Sequence, residues 1–412
     1  MAEVTRPRSK GYMTFLVIFM GLVALVDQYL SLIETTAIPH LINYFGITAD
    51  TFFLWQGIFG IMAFVVFLVS GLADLYGRKI GILILLLMMG GSATLIGLIG
   101  TSSFWVFMIL YAILILGNNV NLWTIPISEE SIPKRRAFNG SMAFLIGLIP
   151  LYAFIGEPIA AALGWQWMYG AMGIFGLIII VLLIFMKETK RWEASRGEEK
   201  HIGKNYWDNI KAMEKKDWFL VIRAGSIYIC WNIAFKMATG TVGLYYQNIQ
   251  GLTADEFSSI LTFGGLATIV GALSIGIIME KLGRIFAFIY SSVGAAIAYL
   301  GLSFLGNSIF MVFAYYFMAC FLGFLLVYIT ELFPTERRAT AVGLTLTLSR
   351  IGYVVGPLVI SAILFEETVA TYRTLYLVGA IIALVPLLSL FLNKYESKGK
   401  SLEAIQEDIK AE

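Results

Sequence analysis

The sequence predicts an all-α membrane protein, twelve transmembrane helices in two six-helix, pseudo-symmetric halves, and three observations predict it. Hydrophobic residues make up 59% of the chain and charged residues 14%, with a mean hydropathy of +0.82. A water-soluble protein could not sustain that balance without a very large exposed apolar surface. Runs of about 20 to 27 apolar residues, the length that crosses roughly 30 Å at about 1.5 Å per residue, recur along the whole chain. The parts on either side of a long polar centre also repeat one another at their connections.

The runs lie near residues 12–38, 52–72, 80–100, 104–127, 137–163, 165–186, 219–246, 256–279, 285–305, 308–330, 339–364 and 373–393, twelve in all. The basic MAEVTRPRSK precedes the first. That run is too long for a signal-peptide core and ends in no small-residue cleavage site, so it reads as an uncleaved span. Of 29 Lys and Arg, 25 fall in the N-terminus, in alternate connections and in the C-terminus. Such asymmetry puts both termini and the central loop in the cytoplasm of a multi-pass protein of the cell membrane. Residues 187–218 form the longest polar stretch, a cytoplasmic linker between an N-terminal six-helix bundle (1–186) and a C-terminal bundle with its tail (219–412). Trp207, Ile210 and Met213 would share one side of a linker helix lying on the membrane surface.

The repeat shows most clearly after the second span of each half. Asp74-Leu75-Tyr76-Gly77-Arg78 recurs as Glu280-Lys281-Leu282-Gly283-Arg284 at an offset of 206, and the Arg-Arg-Ala of PKRRA recurs in PTERRA at an offset of 202.

Five ionisable residues sit well inside spans: Asp27, Glu34 and Glu157 in the first half, Lys236 and Arg350 in the second. A charge in hydrocarbon costs about 3 kcal/mol upward unless it is paired, hydrated or neutralised, so each is a functional candidate. Acids in one half and bases in the other could pair when the halves close on one side and separate when they close on the other. Asp27 and Glu34 are seven residues apart and share a helical face. Asp27 lies near mid-membrane, where desolvation favours the protonated carboxyl, as a proton carrier requires; the alternative is a permanent ion pair with Lys236 or Arg350. Glu34 and Glu157, nearer the outer surface, read equally as headgroup contacts or as partners in proton coupling. Arg223, about one turn inside its span, is expected to reach the headgroups. Asn118 and Asn121 share a face of span 4, Asn232 stands one turn before Lys236, and Gln28, Gln56 and Tyr245 lie on spans 1, 2 and 7. All six are candidates for substrate binding or for helix-to-helix contacts.

Enzyme chemistry has little support. The two histidines are separate, His40 at an outer loop and His201 in the linker. No nucleotide-binding glycine loop or paired metal-ligand spacing appears, so no cofactor is expected and the energy source is an ion gradient, of protons given the mid-span carboxylates. Cys230 and Cys320 fall inside apolar runs and read as packing residues. No gathered basic patch suggests nucleic acid.

Four segments resemble the major facilitator superfamily of secondary transporters: GLADLYGRK (71–79), IPISEESIPKRRA (125–137), LGWQWMY (163–169) and ITELFPTERRATAVG (329–343). The last is similar to a signature of the sugar-porter and metabolite-proton symporter branch. The resemblance implies alternating access, a monomer, and a cytoplasmic latch built by Gly71, Asp74, Gly77 and Arg78 in the first half and by Glu280, Gly283, Arg284, Glu331, Pro334, Arg337 and Arg338 in the second. Asp27 matches the acid that many family members carry in span 1 for proton coupling. The arginine which sugar porters carry in span 4 is absent from YAILILGNNVNLW, and CWNIAFKMATG offers Asn232 and Lys236 in place of their paired glutamines. The leading expectation is a proton-coupled symporter of a small organic anion, with Lys236 and Arg350 drawing in its carboxylate. The alternatives are a proton-coupled efflux antiporter for drugs or cations, a sugar symporter, and a non-transporting sensor.

Overall fold

The structure, a computed structural model, describes residues 8–65, 73, 76–118, 122–132, 135–195, 210, 211, 213–333, 338–392 and 396. It is 88% helical, with no strand among the described residues. In chain order the elements are α1 (Lys10–Leu32), α2 (Glu34–Phe45), α3 (Ala49–Phe59, prolonged by a 3-10 stretch Gly60–Val65), α4 (Arg78–Ile99), α5 (Phe104–Asn118), α6 (Thr124–Glu130), α7 (Arg136–Gly147) and α8 (Leu151–Leu163). There follow α9 (Gln166–Ile184), α10 (Lys190–Ser195), α11 (Lys215–Ile249), α12 (Ala254–Leu282), α13 (Arg284–Leu305), α14 (Ser308–Leu332), α15 (Arg338–Ser349), α16 (Ile351–Ile363) and α17 (Val369–Phe391). Among the described residues ten helices are long and apolar enough to cross a membrane, or up to eleven if the pair Glu34–Phe45 and Ala49–Val65, bent by 115°, counts as one span. Phe104–Asn118 is a shorter apolar helix. Helices prevail because hydrocarbon offers no partner for a backbone N–H or C=O, so each must be satisfied within its own segment.

The chain divides into two compact units, residues 1–45 with 59–205 and residues 46–58 with 206–412. The first turns of α3 thus group with the second half of the sequence.

In unit 1, α1 packs on α7, and α4 packs on α9. The second contact runs through glycines: a Cβ on Gly97 would come within 2.8 Å of the Gly170 Cα, and the reverse holds for Gly170. Such small-residue faces let helix backbones approach closely, the source of packing energy in lipid. The outward side of α9 carries Ile174, Ile178 and Val181, exposed at helical spacing as a lipid-facing stripe that Phe185 continues just past its end.

In unit 2, α14 packs against both α12 and α13, and α11 packs against α15, α16 and α17. Gly271 of α12 lies directly on the Tyr316 carbonyl of α14, a close backbone approach that a side chain would prevent, whereas Gly276 has open space around it. The α15–α16 column is interrupted at Arg350, where the bonds Arg350 N–H to Thr347 O (3.1 Å) and Tyr353 N–H to Arg350 O (2.9 Å) replace the regular pattern. The Asn232 side-chain amide of α11 donates to the Ser349 carbonyl at this break, 2.9 Å, giving the carbonyl a partner that hydrocarbon cannot.

Three expectations need correction. The first span does not stop at residue 38: one residue with helical dihedrals, Ile33, joins α1 to α2, and helix continues to Phe45. Pro39 is accommodated inside α2, at the cost of one backbone hydrogen bond. His40 is therefore in a helix, not an outer loop. Arg223 does not reach outward; it is only 6% exposed, and its guanidinium donates to the Tyr328 hydroxyl.

Candidate functional site

Unit 1 builds a polar seam on apolar helices. Asp27, Ser31 and Glu34 occupy successive turns of one face of α1 and α2, and Tyr111 and Asn118, seven residues apart, occupy one face of α5. The Tyr111 hydroxyl donates to Glu34 Oε2 at 2.5 Å, and the Asn118 amide to Ser31 Oγ at 3.3 Å. Asp27 accepts from the Gln28 amide at 3.3 Å. Asp27 and Glu34 are 3% and 5% exposed, so both are withdrawn from the surface rather than turned to headgroups. Glu157, 4% exposed, takes a hydrogen bond from His40, Nε2 to Oε2 2.9 Å. Tyr111, Ser31 and His40 were not among the sequence candidates; Tyr111 could have been found one heptad before Asn118.

Unit 2 carries a second seam along α11. Tyr228, Asn232, Lys236 and Gly240 recur every four residues on one face, and α16 answers with Gly352 and Gly356 at the same spacing. A Cβ on Gly352 would collide with Asn232, and one on Gly356 would touch the Lys236 stem at 3.5 Å. A Cβ on Gly240 would stand 3.5 Å from Lys236 Cε and 3.3 Å from Phe53. Arg350, at the break before α16, holds its guanidinium 5.3 Å from the centroid of the Tyr353 ring, a cation–π contact. Lys236 and Arg350 are half-buried. Gln56 is buried on α3. Tyr245 opens a π-helical turn, Tyr245–Ile249, packs against Tyr246, Tyr372 and Tyr376, and accepts from the Gln250 amide.

The latch residues form two networks, one inside each unit. In unit 1 the Arg78 guanidinium forks onto Glu129, Nη2 to Oε1 2.9 Å and Nε to Oε1 3.2 Å, and donates to the Ala73 carbonyl. Glu188 accepts from the backbone N–H groups of Arg78 (2.9 Å) and Lys79 (3.2 Å), an anion seated on the positive N-terminus of α4. Arg8 bonds Glu130 at 2.7 Å and the Glu188 carbonyl at 2.7 Å. Burial works against the Arg8 charge, but the hydrogen bond and the charge of Glu130 outweigh it and leave its pKa raised. In unit 2 Arg284 forks onto Glu331 at 2.7 and 3.2 Å and reaches the Met279 carbonyl, while Glu396 accepts from the N–H groups of Arg284 (2.9 Å) and Ile285 (3.0 Å). Glu280 is exposed and within electrostatic reach of Arg284. Gly71, Asp74, Asn121, Pro334 and Arg337 lie outside the described residues, as does the linker around Trp207; Arg338 opens α15. Glu129, Glu188 and Glu396 escaped sequence reading, although Glu129 precedes Glu331 by 202 and Glu188 precedes Glu396 by 208, close to the motif offsets.

Gly77 and Gly283 precede these helix starts with φ of 113° and 98°, and a Cβ on either would run into its capping glutamate. Gly77→Ala and Gly283→Ala should each destabilise the protein by about 1–3 kcal/mol through strained backbone and the displaced carboxylate. Thermal unfolding in detergent checks this, with Gly276→Ala, where the added methyl meets nothing within 4 Å, expected to change little.

Membrane-crossing helices with ionisable groups held inside them, and duplicated charge networks at matching helix starts, define a secondary transporter rather than an enzyme. The family model described as Major Facilitator Superfamily matches residues 17–357, and the chain belongs to that superfamily. Its relatives are metabolite and sugar transporters. It is 26% identical over 399 residues to "Probable metabolite transport protein CsbC" of Bacillus subtilis, covering 84% of this chain and 78% of that one. The "Cis,cis-muconate transport protein" of Acinetobacter baylyi is 25% identical over 207 residues, covering 47% of this chain and 49% of that one. The fold matches the inward open xylose transporter XylE from E. coli with a TM-score of 0.72 at 15% identity, over 96% of this chain and 99% of that one. The protein is thus a multi-pass membrane transporter of small molecules, driven by an ion gradient without a cofactor.

Proposed function

We propose that the protein is a proton-coupled symporter of a small organic anion, acting as a monomer in the cell membrane with both termini cytoplasmic. The observation that carries this reading is the segregation of the sequence's mid-span charges: Asp27, Glu34 and Glu157 are buried in unit 1, while Lys236 and Arg350 line α11 and the α15–α16 break of unit 2. An ammonium and a guanidinium on unit 2 suit a carboxylate ligand; Asn232 and Tyr353 lie beside them. Asp27 is the proton carrier in this reading. Carrying net charge through ~30 Å of hydrocarbon is costly. One proton on Asp27 and one monoanion leave the loaded protein with the same net charge as the empty one, so both forms can reorient. A relative named for cis,cis-muconate transport favours a carboxylate ligand, although a dianion would need two protons for the same balance.

Sugar symport is the second reading, favoured by the fold's likeness to a structure described as a proton:xylose symporter. Liposomes discriminate. One proton with a monocarboxylate moves no net charge, so uptake should follow a pH gradient and ignore an imposed membrane potential. Proton-sugar uptake is electrogenic and should respond to both. Uptake of no carboxylate in a screen of mono- and dicarboxylates, with potential-dependent uptake of a sugar, would sink the anion reading.

A further inference from the structure

We propose that His40 and Glu157 form a proton-operated clasp between α2 and α8, a proton-binding site separate from Asp27, closed when His40 is charged and slack when it is neutral. Its two sides have unequal access to water: the His40 side chain is 34% exposed and that of Glu157 only 3%. Counting along the near-continuous α1–α2 helix, His40 stands roughly 45 Å from Lys10, beyond the ~30 Å hydrocarbon layer, whereas Asp27 stands about 25 Å along it. Glu157 lies six residues before the end of α8, which brings it to the same end of the unit. The pair therefore sits where the imidazole can exchange a proton with solution while the carboxylate stays withdrawn from it.

Two features of the backbone make the clasp matter. Pro39 immediately precedes His40 inside α2, and Pro158 immediately follows Glu157 inside α8. Each proline removes a backbone hydrogen bond from its helix, so both helices are weakened where the side chains join them. Between them the packing is close: a Cβ on Gly156 would sit 3.0 Å from Ile33 and 3.2 Å from the Thr36 hydroxyl.

The helices that meet α2 and α8, besides each other, are α1, α9 and α5, the last through Tyr111 on Glu34 and Phe104 on Phe45. Their titratable groups are Asp27 and Tyr29 on α1, with Tyr12 and Lys10 at its far end, Tyr169 on α9, Tyr111 on α5, Glu34 and Tyr44 on α2, and Tyr152 on α8. These five helices bear no Lys or Arg besides Lys10, so the cation that they bring to Glu157 is His40. The proton lost at higher pH leaves the imidazole from Nδ1. Nε2–H still donates to the Oε2 of the carboxylate, but the attraction between imidazolium and carboxylate goes with the proton, and at a carboxylate so withdrawn from water that attraction is only weakly screened.

The inference needs neither a substrate nor the assignment of Asp27, and its test involves no transport. Hydrogen exchange of segments 36–45 and 151–163 is followed by mass spectrometry on the full-length protein in nanodiscs at pH 6 and pH 8, corrected for intrinsic exchange. The parent should show roughly ten-fold faster opening of both segments at pH 8, the size of a lost ion-pair attraction at a partly buried site. His40→Lys, charged at both values, should remain protected at both; His40→Gln should open at both. The exchanged pair His40→Glu with Glu157→His should restore the pH response, which a merely misfolded single variant could not explain. Equal protection of the parent at pH 6 and pH 8, or an unchanged pH response in His40→Lys and His40→Gln, would overturn the proposal. Persistence of the clasp alongside an Asp27→Asn protein that is still proton-driven would remove the assignment of Asp27 alone, and persistence in a protein that moves no proton with its substrate would remove the symport reading alone.

Discussion

Liposomes carrying Asp27→Asn are expected to lose proton-driven accumulation while retaining exchange of labelled for unlabelled substrate. For a one-proton symporter each unit of pH gradient supports up to ~10-fold accumulation, because about 1.4 kcal/mol corresponds to a factor of ten. A gradient of about two units, worth up to ~100-fold in the parent, should give the variant no accumulation above equilibrium. The substitution is nearly isosteric, and asparagine can still accept the bond from the Gln28 amide that now reaches Asp27 Oδ2, so the fold should survive. What it cannot do is gain and lose a proton. Exchange requires only that the loaded protein reorient, which is why it separates coupling from binding. Gradient-driven accumulation by Asp27→Asn at the parent's level would show that the proton rides elsewhere, with Glu34 and its Tyr111 partner the first place to look.

The division between what sequence could and could not reveal follows the physics of each contact. The spans were legible because hydrocarbon imposes a length and a composition on every crossing segment, and Asp27 stood out because a charge there is costly. The extent of the first span was not, since the apolar run breaks at Pro39-His40, a proline followed by a polar residue. In the structure that histidine is satisfied by Glu157, 117 positions away, and the proline is tolerated within the helix, so the punctuation was misleading. Arg223 was misread for the opposite reason: depth along a helix was legible, but which way the side chain turns depends on neighbours such as Tyr328. Glu188 and Glu396 escaped notice because each serves a helix start 110 and 112 positions away through backbone N–H groups, which carry no sequence signature. Only their near-equal offsets, set by duplication, betray them.

Lys236→Gln should weaken carboxylate binding by about 10- to 100-fold, the equivalent of one charge-assisted hydrogen bond of roughly 1.5–3 kcal/mol. The reasoning starts from the helix pair that holds it. Gly356 and Gly240 leave room for the lysine stem, each placing an added Cβ 3.5 Å from it, and Asn232 one turn earlier ties α11 to the α15–α16 break through Ser349. Glutamine keeps part of the stem and a hydrogen-bond donor, so packing against both glycines is largely preserved and the loss reports mainly the charge. Lys236→Arg keeps the charge but widens the head, which the glycine-lined position accommodates less well, and should fall between the parent and Lys236→Gln. Binding is read by tryptophan fluorescence or thermal shift against a series of carboxylates, with neutral sugars of similar size alongside. If Lys236→Gln weakens sugars and carboxylates alike, the lysine organises the helix pair rather than recognising an anion. Selective loss of carboxylates, with sugars unaffected, is the outcome that the arrangement of α11 and α16 leads us to expect.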